Sequence, residues 1–78
     1  MTLYYFHVRN GHTVLDDVGS RLPDISAVKA EAVKTSCEML PAVHSDLWNG
    51  VPWRLWVTDG PNDTGRTLFA LEFSAVLQ

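Results

Sequence analysis

The chain has 78 residues, of which 46% are hydrophobic and 19% charged, and its net charge is −3. This length suits one domain with one core, spanning residues 1–78, and the composition excludes a disordered chain. Nine acidic residues against six Lys and Arg also argue against binding to a nucleic-acid backbone.

Cys37 is the only cysteine, so an intramolecular disulfide and a CxxC motif are excluded. We expect a partly buried, inert thiol. The segment Met1 to Arg9 lacks the features of a secretory signal, and no apolar run approaches the roughly 20 residues needed to cross a bilayer. These observations predict a cytoplasmic protein that does not bind membranes.

The first element is a predicted β-hairpin. Leu3 to Arg9 is rich in aromatic and β-branched residues, and Asn10-Gly11 suits a two-residue type I′ turn. This turn places Arg9 opposite His12 and Val8 opposite Thr13. One face then carries the core residues Tyr4, Phe6, Val8, Thr13 and Leu15, and the other carries Tyr5, His7, Arg9, His12, Val14 and Asp16.

A helix is predicted to follow, with Asp24 as its N-cap. Apolar or small residues recur every three or four positions, which indicates one buried stripe; they are Ile25, Val28, Ala32, Ser36, Met39 and Val43. Pro41 should end or kink the helix near Leu40. We expect Trp48 to close one end of the core.

The segment Pro52 to Asp59 alternates as a strand, with Trp53, Leu55 and Val57 on the core face. A turn-rich loop, Gly60 to Gly65, leads to a last strand at Arg66 to Ser74. In that strand Phe69, Leu71 and Phe73 should face the core, whereas Leu68, Ala70 and Glu72 should face away from it.

The predicted fold class is α+β, in the order ββαββ. A four-stranded, mainly antiparallel sheet in the order 2-1-3-4 would carry the single helix on one face. The other face would then lack a covering layer.

Three groups of residues resemble a known family: Tyr4 to Gly11, Asp16 to Gly19 with Leu22-Pro23-Asp24, and Trp48 to Asp59 with Gly65 to Phe69. Together they are similar to a group of short bacterial proteins known only as a domain of unknown function. The resemblance covers nearly the whole chain and implies no reaction, cofactor or catalytic residue.

The uncovered sheet face holds the densest polar cluster. A His beside a carboxylate and a Tyr is compatible with proton transfer, but no nucleophile, oxyanion hole or pocket accompanies them. A metal site built from His7, His12, His44 and Asp16 has unpersuasive spacing, and the loop at Asp59 to Gly65 lacks the ligand order of an EF-hand. We therefore predict no enzymatic activity, no catalytic residue, no cofactor and no metal.

Two binding functions remain for this face. Tyr5 and Trp56 are compatible with base stacking as in single-stranded RNA binders, yet Asp16 and Glu72 would repel phosphate. Protein interaction is favoured, because leaving the apolar side chains of the uncovered face in water would create an apolar patch. We predict a homodimer, or alternatively an antitoxin-like or adaptor protein that binds another protein. The interface candidates are Tyr5, His7, Arg9, Val14, Asp16, Arg54, Trp56, Leu68 and Ala70.

Overall fold

Three strands, a helical segment and two further strands follow one another in residues 2–77, the part of the chain that the computed structural model describes. The α+β class is confirmed. The elements are β1 (Thr2–Arg9), β2 (Thr13–Val14), β3 (Ser20–Leu22), α1 (Ile25–Met39), a 3-10 turn (Leu40–Val43), α2 (His44–Trp48), β4 (Trp53–Thr58), a second 3-10 turn (Pro61–Asp63) and β5 (Thr67–Phe73).

The sheet is antiparallel, and its strands lie in the order β2-β1-β4-β5. This is the order predicted for the four strands. The short strand β3 was not predicted; it pairs with the first half of β1, with Tyr4 opposite Ser20. The second strand of the predicted hairpin, β2, is therefore only two residues long. After an irregular segment the chain pairs with β1 again, as β3.

The register of the first hairpin differs from the prediction by one residue. Arg9 pairs with Thr13 and Val8 pairs with Val14, so the loop has three residues, with Gly11 at a φ of +86°. A shift of one residue moves side chains to the opposite face. Val14 therefore lies on the helix side beside Val8 and is 65% exposed, which corrects its assignment to the outer face. Thr13, which was predicted on the core face, lies on the outer side with Arg9.

Helix α1 begins as predicted. The carboxylate of Asp24 accepts a hydrogen bond from the backbone N–H of Ala27 at 2.8 Å, the usual role of an N-cap aspartate. The helix ends at Met39, and Pro41 lies inside the 3-10 turn that follows, because proline lacks the N–H that a continued α-helix needs.

The buried stripe of α1 is shorter than predicted. Val28, Ala32 and Ser36 are buried, whereas Ile25 and Met39 are exposed at the two ends. Two further expectations were wrong. Cys37 is exposed, and Trp48 is 54% exposed on α2, where the preceding residue, Leu47, packs against the core instead.

The core lies between α1 and one face of the sheet. Its buried members are Val8, Val28, Ala32, Trp53, Leu55 and Val57. Phe69 and Leu71 pack against this cluster, which confirms the predicted faces of β4 and β5. Leu68 also contacts the cluster, which corrects its assignment to the outer face. The register shift between Val57 and Thr58 leaves Leu68 without a partner in the ladder and so breaks the alternation.

Candidate functional site

The outer face, defined here as the sheet face opposite α1, consists of three rows of cross-strand partners. Residues directly opposite each other in antiparallel strands have side chains on the same face. From β1 through β4 to β5 the rows are Arg9-Arg54-Glu72, His7-Trp56-Ala70 and Tyr5-Thr58-Thr67.

His7 is fully buried in the middle row, and both of its ring nitrogens are hydrogen-bonded. The backbone N–H of Asp16 donates to Nδ1 at 3.0 Å, and Nε2 lies 2.8 Å from Oγ1 of Thr58. Because Nδ1 accepts, the proton of the neutral ring lies on Nε2 and is donated to Thr58. The Thr58 hydroxyl in turn donates to the carbonyl of Gly60 at 2.7 Å.

Asp16 begins a tight turn, Asp16 to Gly19, which we call the Asp16 turn. Its carboxylate accepts hydrogen bonds from three backbone N–H groups: those of Phe6 at 3.1 Å, Val18 at 3.0 Å and Gly19 at 3.1 Å. Partial burial disfavours the charge, but these three bonds outweigh it and hold the pKa of Asp16 below its ordinary value. Asp16 therefore stabilises the turn as a carboxylate.

A second segment, Asp59 to Gly65, also folds over the outer face; we call it the 59–65 loop. Its Asp63 carboxylate accepts a 2.7 Å hydrogen bond from Nε1 of Trp56, and the backbone N–H of Asn62 donates to the carbonyl of Asp16 at 2.9 Å. The Trp56 ring also lies against His7, with centroids 5.3 Å apart. The loop and the Asp16 turn therefore join over the middle of the sheet.

The outer face is consequently not an open apolar patch. Tyr5, His7 and Trp56 are each no more than 9% exposed, which corrects the expectation that these three side chains reach solvent. The loop contains three positive-φ residues, Asn62, Asp63 and Gly65, and this backbone lets it turn back over the strands instead of extending into water.

Gly19 allows the Asp16 turn to approach the ring of Tyr5. A Cβ added at Gly19 would lie 2.8 Å from Cε2 of Tyr5, and φ is +80°. Gly50 has a similar φ, +89°, with open space around it. We expect Gly19→Ala to lower the free energy of unfolding by about 1–2 kcal/mol more than Gly50→Ala, because only Gly19→Ala adds a steric clash to the shared backbone strain.

Urea unfolding of both glycine variants checks this expectation, since the backbone cost common to them cancels in the difference. Equal losses of stability would show that the ring of Tyr5 moves aside at no cost.

Four of the candidate interface residues retain solvent contact on or near the outer face: Arg9, Arg54, Ala70 and, partly, Asp16. The guanidinium of Arg54 forms an ion pair with Glu72 and lies 5.5 Å from the centre of the Trp56 ring. This solvated part of the outer face lies toward β5 and toward the end of the sheet that carries Arg9.

A family model described as "Domain of unknown function (DUF6894)" matches residues 3–74. The chain belongs to the DUF6894 family. The part matched to DUF6894 contains the five strands except for Thr2 of β1, together with α1, the Asp16 turn and the 59–65 loop. No curated protein and no solved structure matches the chain.

Among the described residues of this DUF6894 domain, no three His, Cys, Asp or Glu side chains form a group that could hold a metal ion. Likewise, none of the described helices is both long and apolar enough to span a membrane. His12 lies in the first hairpin loop and His44 on α2, and both are exposed. The structure therefore does not bring the three histidines together.

Sequence reasoning missed three residues of the outer face, Gly19, Thr58 and Asp63. The order Asp16-Asp17-Val18-Gly19 carried a usable signal, since an aspartate that begins a turn ending in glycine commonly accepts the backbone N–H groups of that turn. Thr58 and Asp63 carried no local signal for these contacts, because His7, the partner of Thr58, lies on another strand and Trp56, the partner of Asp63, lies across the loop.

Proposed function

We propose that this domain is a protein-interaction module that self-associates by pairing strand β5 with β5 of a second copy. The observation that carries the proposal is the free edge of β5. This strand has seven residues and pairs with β4 alone among the described strands. An unpaired edge presents a row of backbone donors and acceptors to another chain.

The side chains of β5 do little to protect this edge. Soluble proteins block edge strands with lysine, proline or inward-pointing charges, and β5 has the sequence Thr-Leu-Phe-Ala-Leu-Glu-Phe. Its one charged residue, Glu72, is paired with Arg54. On the helix side Phe69 and Leu71 are only partly buried, and Phe73 is 37% exposed.

A second copy suits this edge in one antiparallel register. With a two-fold axis at Leu71, each Phe69 faces the Phe73 of the other copy, so the apolar sides of both strands join. Glu72 then faces Ala70, and the two glutamates avoid each other. A 78-residue chain also gains from association, because a domain of this size buries a small core.

The proposal moves the predicted homodimer interface from the centre of the outer face to its β5 side. His7 and Trp56 are already covered within one chain, whereas Ala70 and the backbone of β5 remain open. The RNA-binding alternative loses its support, since a base would need the buried face of Trp56 for stacking.

Sedimentation of Ala70→Glu tests the proposal, with Ala30→Glu on an exposed position of α1 as the matched control. We expect the native chain and Ala30→Glu to sediment as dimers at high micromolar concentration and Ala70→Glu to sediment as a monomer. The added carboxylate would face Glu72 of the other copy, and like charges in directly opposed positions repel each other. Far-UV circular dichroism confirms that both variants remain folded.

A native chain that is strictly monomeric at that concentration would refute self-association. Dimers in all three proteins would instead place the interface away from β5. An adaptor that uses the same edge for another protein would appear as a monomer that captures one partner stoichiometrically, and Ala70→Glu would lose that partner.

A further inference from the structure

A cavity of about 320 Å³ lies where the end of β1 meets the start of β4. Arg9, Arg54 and Glu72 line it from the outer face, and Gly11, Val51, Pro52 and Trp53 complete its wall. Its size falls at the lower end of the range for small-molecule sites, about 300–1,000 Å³. Nothing in the self-association of β5 requires this cavity.

The polar side chains that line the cavity, Arg9, Arg54 and Glu72, are mostly hydrogen-bond donors. Trp53 also lines the cavity, and its Nε1 is buried without a hydrogen-bond partner among the described residues, although buried polar groups are normally paired. Arg54 uses Nη1 for Glu72, which leaves the other N–H groups of its guanidinium available. In residues 2–77 the ion pair of Arg54 with Glu72 is the only one, so Arg9 adds a free guanidinium.

The charges at the cavity favour an anion. Arg9 and Arg54 are direct cross-strand partners, and like charges in that position repel each other. Glu72 balances one of the two, so the three side chains together carry one net positive charge. A monoanion bound between the guanidinium groups would remove the remaining imbalance, and a carboxylate matches the planar geometry of a guanidinium.

The remaining wall favours an apolar body on the same ligand. Val51, Pro52 and the ring of Trp53 offer apolar surface beside the donors. Inorganic phosphate has no group that would fill this part of the cavity, whereas an aromatic or branched acid fills both parts. We propose that the cavity binds a small carboxylate with an apolar body, held by Arg9 and Arg54.

Titration with sodium benzoate, followed by the indole N–H signal of Trp53 in a ¹⁵N-labelled protein, tests the proposal. We expect a saturable shift of that signal. Benzyl alcohol, which keeps the ring and lacks the charge, and inorganic phosphate, which keeps a charge and lacks the ring, should each cause much smaller shifts at equal concentration.

Arg9→Gln removes the free guanidinium, and Arg21→Gln on β3 is the matched control, since both arginines are exposed strand residues. We expect Arg9→Gln to raise the Kd for benzoate about tenfold, the usual effect of losing a hydrogen bond to a charged group. Arg21→Gln should leave it unchanged.

Three outcomes would overturn the proposal. They are the lack of a saturable Trp53 shift with benzoate, equal affinity for benzoate and benzyl alcohol, and equal affinity of the Arg9→Gln and Arg21→Gln proteins. Each of these measurements reports on the cavity of a single chain. Failure of the carboxylate proposal would therefore not contradict the proposed pairing of β5.

Discussion

His7→Ala is expected to lower the free energy of unfolding by about 3–5 kcal/mol, the range for removing a fully buried aromatic side chain. The substitution leaves a void beside Trp56 and removes the partners of two polar groups, the N–H of Asp16 and the hydroxyl of Thr58. A domain of this size has a total stability of roughly 4–12 kcal/mol, so His7→Ala will unfold at far lower urea concentration than the native chain.

His12→Ala is the matched control, because the same atoms are removed from an exposed loop; its effect should stay within about 0.5 kcal/mol. If His7→Ala fails to fold, Thr58→Val keeps the side-chain shape and removes only the hydroxyl, for which we expect a loss of about 2 kcal/mol. If His7→Ala and Thr58→Val both had the same free energy of unfolding as the native chain, the buried hydrogen-bond network would have no structural role.

Asp16→Ala is expected to lower the free energy of unfolding by about 3 kcal/mol near neutral pH, from about 1 kcal/mol for each of three lost hydrogen bonds. The bonds join the Asp16 turn to itself and to β1. Asp17→Ala changes an exposed neighbour with the same chemistry, and urea unfolding of the two variants isolates the contribution of the Asp16 carboxylate.

The effect of Asp16 should depend on pH. The pKa of Asp16 is lower in the folded chain than in the unfolded one, where an aspartate titrates at about 3.9. The carboxylate therefore contributes its stability fully above that unfolded pKa, and the contribution is lost as the pH falls through the lower, folded pKa.

The stability difference between the native chain and Asp16→Ala should accordingly shrink when urea unfolding is repeated at about pH 3 or below. A difference that stays constant across this window would mean that the three N–H groups gain nothing from the charge of the carboxylate.

This small chain buries side chains on both faces of its sheet. The helix covers one side with a conventional apolar core, and two polar segments cover the other through His7, Asp16, Thr58 and Asp63. The surfaces left for binding are then the edge of β5 and the cavity beside Arg9, rather than the centre of the sheet.

Local patterns were sufficient to predict the elements whose determinants lie within a few residues. Asp24 caps α1 through a bond to Ala27, three positions away, and the alternation of Trp53, Leu55 and Val57 identifies the side of β4 that faces the apolar core. The strand order was predicted from the element order, because 2-1-3-4 makes every neighbouring pair antiparallel while the helix crosses from the second predicted strand to the third.

The hairpin register depended on more than its turn residues. Asn10-Gly11 is compatible with a two-residue turn and with the observed three-residue loop, since Gly11 supplies the positive φ in either case. The choice between them set the face of Val14. Val14 paired with Val8 lies next to the apolar core side, whereas the predicted register would have placed Thr13 there.

The sequence by itself determined the α+β class, the end of α1 before Pro41 and the core-facing side of the central strand, because those features follow from patterns among near neighbours in the chain. Only the tertiary structure decided that Trp56 and His7 are buried. Their partners, Asp63 and Asp16, lie in segments without regular secondary structure or in a short 3-10 turn. A backbone bond between the 59–65 loop and the Asp16 turn holds both segments over the sheet, and no local pattern encodes such a long-range contact.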